Sequence, residues 1–118
     1  MAIDREETLK KAEKLLRQGR LDAAIVEYQH VADEYPRDWN TANTLGDCFY
    51  RAHQVERAVE QYNRIADHFG QEGFYPKAAA LYKKIAKFKP GEESALLQLA
   101  EIAARQGLLA DAKQYFHQ

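Results

Sequence analysis

Cysteine, proline and methionine are all scarce in this chain of 118 residues, which has one Cys, three Pro and one Met. The lone Cys48 cannot close an internal disulfide, so the fold must hold without one, and a reducing compartment is the easier setting. No apolar run approaches the roughly 20 residues that a membrane span needs. The N-terminus turns acidic at once, as Met1-Ala2-Ile3-Asp4-Arg5-Glu6-Glu7, unlike a signal peptide. Neither sign of charge is in excess. Seventeen Lys and Arg stand against 18 Asp and Glu, a net of -1, which excludes a general nucleic-acid binder with its basic surplus. Val, Ile and Thr together number 12 against 19 Ala, a usage that favours helix and disfavours sheet.

Helix-period segments fill what remains. Gly19, Gly70, Gly73, Gly91 and Gly107 fall between them, and Pro36 and Pro90 close two others. Leu9, Ala12, Leu15 and Leu16 recur three and four apart in the first segment, and Ala24, Ile25, Tyr28 and Val31 do so in the second. Asp4 stands three residues before Glu7 as a capping-box start, and Gly19 offers a left-handed stop. The spacing predicts helices at about 4–18, 21–34, 39–51, 55–69, 75–88, 92–105 and 108–117, seven in one all-α domain over 1–118. Connections of two to six residues require antiparallel neighbours.

The segments repeat. Arg17-Gln18-Gly19 followed by Asp22-Ala23-Ala24-Ile25 recurs as Arg51-Ala52-His53 followed by Glu56-Arg57-Ala58-Val59, and again as Arg105-Gln106-Gly107 followed by Ala110-Asp111-Ala112. Ala24 to Ala58 is 34 residues, as is Ala78 to Ala112, and Tyr28, Tyr62, Tyr82 and Phe116 each lie four residues beyond those alanines. Small residues permit close approach of paired helices, and the aromatic fills the gap one turn on.

A 34-residue helix–turn–helix with these slots resembles the tetratricopeptide repeat. Leu45-Gly46 followed by Phe49 looks like the first-helix signature, and Ala58, Tyr62 and Ile65 look like the second. The resemblance implies an all-α, right-handed helix-turn-helix solenoid, with repeats at about 5–38, 39–72 and 93–118. Lys11 and Thr8 replace apolar residues of the first repeat, as an end cap facing water allows. The interval from Ala58 to Ala78 is only 20 residues, leaving a half-repeat at 73–92 without its own first helix. Ala58, Val59, Tyr62, Ile65, Ala66 and Phe69 form an arc wide enough for the helix at 55–69 to end one repeat and open the next.

Catalytic signatures are absent from the sequence. No His pairs with another His or with Cys at metal-ligand spacing, no phosphate loop or nucleophile elbow appears, and neither a metal nor a cofactor is expected. Cys48 reads as a small buried hydrophobe and His53 as a turn residue in the slot of Gly19 and Gly107.

The resemblance implies a concave groove lined by first helices. Its candidate residues are Leu9, Glu13 and Arg17, then Asn43, Asp47, Tyr50 and Arg51, then Asn63 and Asp67, then Leu97, Glu101 and Arg105. An acid recurs at one level in each helix, and in three of them an Arg follows four residues later. Such pairs form a solvated ladder worth about 0.2–0.5 kcal/mol each, or a row of charges that exchanges partners with a ligand. Chaperone-binding members of the family grip a terminal carboxylate with basic residues and Asn, whereas the matching positions here are Leu9, Glu13, Thr44, Ser94 and Gln98. The expected partner is therefore a protein or peptide segment with basic or apolar anchors, rather than nucleic acid or a membrane interior.

Three further features bear on partners. Lys77, Lys83, Lys84, Lys87 and Lys89 lie between Gly73 and Gly91 with no acid among them, a charged helix face or a contact for an acidic partner. Trp39 could anchor a partner or pack between repeats. Leu109, Ala112, Tyr115 and Phe116 form a terminal apolar stripe that suits self-association or a longer chain. The reading is a non-catalytic interaction scaffold, with a self-assembling module as the alternative, and the lone Cys and the resemblance point to a bacterial cytoplasm.

Overall fold

The structure, a computed structural model, describes the backbone of residues 3–116 and the side chains of residues 3–107. Among the described residues there are six helices and no strand: α1 (Arg5–Arg17), α2 (Leu21–Glu34), α3 (Trp39–Arg51), α4 (Val55–Gln71), α5 (Tyr75–Phe88) and α6 (Glu93–Phe116). The chain divides into two compact units, Met1–Tyr62 and Asn63–Gln118, and the division falls inside α4.

In the first unit, local chemistry sets the helix ends. The Asp4 carboxylate accepts from the Glu7 N–H at 3.1 Å and opens α1. Asp38 opens α3 by accepting from the Thr41 N–H at 3.3 Å and the Thr41 hydroxyl at 2.7 Å. The Arg5 guanidinium donates to the same carboxylate at 2.9 and 2.6 Å, so the cap of α3 also fastens the start of α1. Between α1 and α2, Gly19 takes φ +75°, and between α3 and α4, His53 takes φ +63° in the equivalent turn. Each turn closes by the same two bonds, Gly19 N–H to Leu16 C=O and Arg20 N–H to Leu15 C=O, then His53 N–H to Tyr50 C=O and Gln54 N–H to Phe49 C=O.

That bond pair appears once more, after α4, as Gly73 N–H to Gly70 C=O and Phe74 N–H to Phe69 C=O. α4 therefore ends as α1 and α3 end, in the manner of a first helix. Its apolar residues are buried along its length. Ala58, Val59 and Tyr62 are buried in the first unit, Ile65 and Ala66 in the second, and Phe69 is half-buried. Ala24, Ala58 and Ala78, the small slots of the repeat, are fully buried.

At the far end the structure departs from the expected seven helices. The segments at 92–105 and 108–117 run as one helix, α6, straight through Gly107. An interior glycine costs about 1 kcal/mol relative to alanine, which weakens a helix without ending it. Gly107 stays outside the left-handed region that Gly19 occupies, and no proline follows it. The expected stripe at Leu109, Ala112, Tyr115 and Phe116 lies outside the described side chains. Among the described residues, no helix is long and apolar enough to cross a membrane.

Candidate functional site

On the first unit, α1 carries Leu9 half-buried with Glu13 and Arg17 exposed, while α3 carries Asn43 and Asp47 half-buried with Tyr50 and Arg51 exposed. Two buried tyrosines stand behind these acids. The Tyr62 hydroxyl, from a ring with no exposed surface, donates to Asp47 Oδ1. Burial first, then this bond and the carboxylate's charge, push the Tyr62 hydroxyl well above the usual phenol range. Its ring lies against Gly46, where a Cβ would come within 2.8 Å of Cε1. Gly46 is what admits the ring that reaches Asp47. Tyr28 is buried too, and burial, Cys48 and Glu13 raise its hydroxyl while Arg17 opposes them.

In the second unit the Tyr82 hydroxyl donates to Asp67 Oδ1, as Tyr62 does to Asp47. Burial, then the bond to Asp67 and the charges of Asp67 and Glu101, push it above the phenol range. Beside this pair lies a cavity of about 200 Å³. Its polar lining is Asp67 and Gln71 of α4, Tyr75 and Tyr82 of α5, and Gln98, Glu101 and Arg105 of α6, with Ile102 as an apolar wall. The Arg105 guanidinium donates to Glu101 Oε1 at 2.8 Å, and both side chains are about half exposed. Tyr75 and then Glu101, by hydrogen bonding, raise the Arg105 pKa further.

Of the sequence-derived candidates, Asp67, Glu101 and Arg105 meet in this cavity, while Asn63 and Leu97 do not line it. Leu97 is 70% exposed, beside Leu96 at 55%, so these two leucines of α6 face outward. Trp39 is half-buried, and Cys48 is buried with its thiol raised by that burial, a small apolar filler. The lysine-rich stretch is partly engaged within its own unit. Lys77 Nζ lies 5.4 Å from the Phe69 ring and 5.5 Å from that of Phe74, Lys84 lies 5.7 Å from that of Phe88, and Lys89 pairs with Glu92 at 3.1 Å.

Sequence reading missed the tyrosine hydroxyls as partners of the acids. A signal was present. Tyr62 follows Asp47 by 15 residues and Tyr82 follows Asp67 by 15, the interval that also separates Glu13 from Tyr28. From Glu101 the same interval leads to Phe116 of the same helix, α6, so the relation between two helices does not extend there.

Comparison with known proteins reaches the same architecture. Residues 15–72 and, separately, residues 64–117 match the tetratricopeptide repeat family, and the two matches overlap over 64–72, at the end of α4. BBSome complex member BBS4 from Bos taurus is 26% identical over 117 residues, covering 88% of this chain, which spans only 22% of the length of that relative. Among solved structures, the first tetratricopeptide repeat domain of Spaghetti (RPAP3), bound to the HSP90 peptide SRMEEVD, is similar at a TM-score of 0.50 and 17% identity, covering 91% of this chain and 98% of that one. The MamA protein is similar at 0.51 and 20%, covering 97% and 70% respectively.

Proposed function

Because this chain belongs to the tetratricopeptide repeat family, we propose that it is a non-catalytic scaffold holding a protein or peptide segment against the first-helix faces of its two units. Paired helices present a preformed surface, so little ordering cost falls on the scaffold. The observation that carries the reading is the recurrence of Glu13, Asp47, Asp67 and Glu101 at one level of successive first helices, with Arg17, Arg51 and Arg105 four residues beyond three of them. A surface so arranged suits segments with basic or apolar anchors. The RPAP3 domain carries the acidic peptide SRMEEVD. Where the resemblance places a basic clamp for such a carboxylate end, this chain has Leu9, Glu13, Thr44, Ser94 and Gln98, which suit it poorly.

Calorimetry with short synthetic peptides tests this. Peptides rich in Arg and Leu are expected to bind more tightly than a neutral Ser/Ala peptide and far more tightly than one ending in Glu-Glu-Val-Asp. Preference for the acidic peptide, or no binding by any of them, overturns the reading.

A further inference from the structure

Drug-sized ligands occupy roughly 300–1,000 Å³, so the cavity of the second unit, at about 200 Å³, matches one side chain of a larger partner instead. Its walls are of two kinds. Ile102 and the rings of Tyr75 and Tyr82 are apolar, while Asp67 and Glu101 contribute carboxylates from different helices. One oxygen of Asp67 is held by Tyr82, leaving the other for a donor. Glu101 differs from Asp47 and Asp67, which accept from buried tyrosine hydroxyls, because its bond comes from an arginine of its own helix. Its bonded partner is Arg105, half exposed as Glu101 is, and pairs of that exposure exchange readily. Both carboxylates act on the Tyr82 hydroxyl, so both lie within electrostatic reach of the same point.

Resting on the reading above, we propose that this cavity seats one basic side chain of the bound segment, its stem against Ile102 and the tyrosine rings and its head between Asp67 and Glu101. Arg105 gives up Glu101 to the incoming cation and turns to solvent. Arginine suits the seat better than lysine, because its planar fork addresses two carboxylates at once.

Amide NMR titrations with four capped peptides, Ala-Ala-X-Ala-Ala with X as Arg, Lys, norleucine or Glu, test the seat at low salt. The Arg peptide, then the Lys peptide, should shift the signals of Asp67, Gly70, Gln98 and Glu101, with norleucine weaker and Glu without effect. Glu101→Gln, at an exposed position, and Asp67→Asn, which keeps an acceptor for Tyr82, should each weaken Arg-peptide binding about fivefold. Added salt should weaken it further. Equal binding of the Arg and norleucine peptides, or unchanged affinity in both variants, overturns the basic seat while the scaffold reading stands. If no peptide shifts any signal, both fall. If the same signals move with protein concentration alone and Lys83→Gln abolishes this, the occupant is a lysine of a second copy and the assignment to a bound segment is overturned.

Discussion

Asp38 takes bonds from the Thr41 N–H, the Thr41 hydroxyl and the Arg5 guanidinium, so one carboxylate caps α3 and holds the start of α1. Burial pushes its pKa up, but the bonds from Thr41 and Arg5 outweigh it and bring the net value below the usual 3.8. A depressed carboxyl contributes stability that is complete above its unfolded value and is lost as pH falls through the lower native one. Asp38→Ala is therefore expected to cost about 1–2 kcal/mol at neutral pH, the upper range for a helix cap. The gap from the parent protein should narrow below pH 4 in urea unfolding. A gap independent of pH would mean that the charge of Asp38 adds nothing. Asp47 and Asp67 serve differently, each bound to a buried tyrosine, while Glu101 pairs with Arg105 at the rim of the cavity.

At the scale of elements, α4 carries different halves of one motif toward its two ends. Tyr62, near its middle, supplies the hydroxyl that a second helix offers to Asp47 of α3, and Asp67, five residues on, supplies the acid that a first helix offers to Tyr82 of α5. α6 was hard to read in the sequence, since a glycine between two helix-period segments reads equally as a turn or as a weak helix interior. Replacement distinguishes them. In α6 a methyl group on Gly107 meets nothing within 4 Å, so Gly107→Ala should raise stability by about 0.5–1 kcal/mol and increase helical circular dichroism. In a left-handed turn the same change would lower both.

For the whole molecule, the competing readings are a scaffold for another chain's segment and a module that assembles with itself. The sequence assigns assembly to the terminal stripe of Leu109, Ala112, Tyr115 and Phe116 and to the lysine-rich helix. If binding a separate segment is the function, the mass from light scattering should stay constant with concentration at low and high salt. A reversible rise in mass, suppressed by salt, would make assembly the leading function instead. Because this chain spans 22% of the length of its bovine relative, the partners of that whole protein do not follow from the similarity.

By itself, the sequence determined the first five helices, the Asp4 cap and the repeat. These depend on neighbours within a few residues: Asp4 reaching the Glu7 N–H, a left-handed residue at Gly19 or His53, apolar residues three and four apart. It also marked the level at which acids recur. Only the tertiary structure decided which acids are held and which can exchange, because that depends on helices meeting across 15 residues of chain. Gly46 lets the Tyr62 ring come close enough to bind Asp47, and the packing of α5 brings Tyr82 to Asp67. In α6, Glu101 takes its bond from Arg105 of the same helix, at the edge of a cavity. A side chain's rank among the acids follows from what packs against it, and spacing along the chain does not record that.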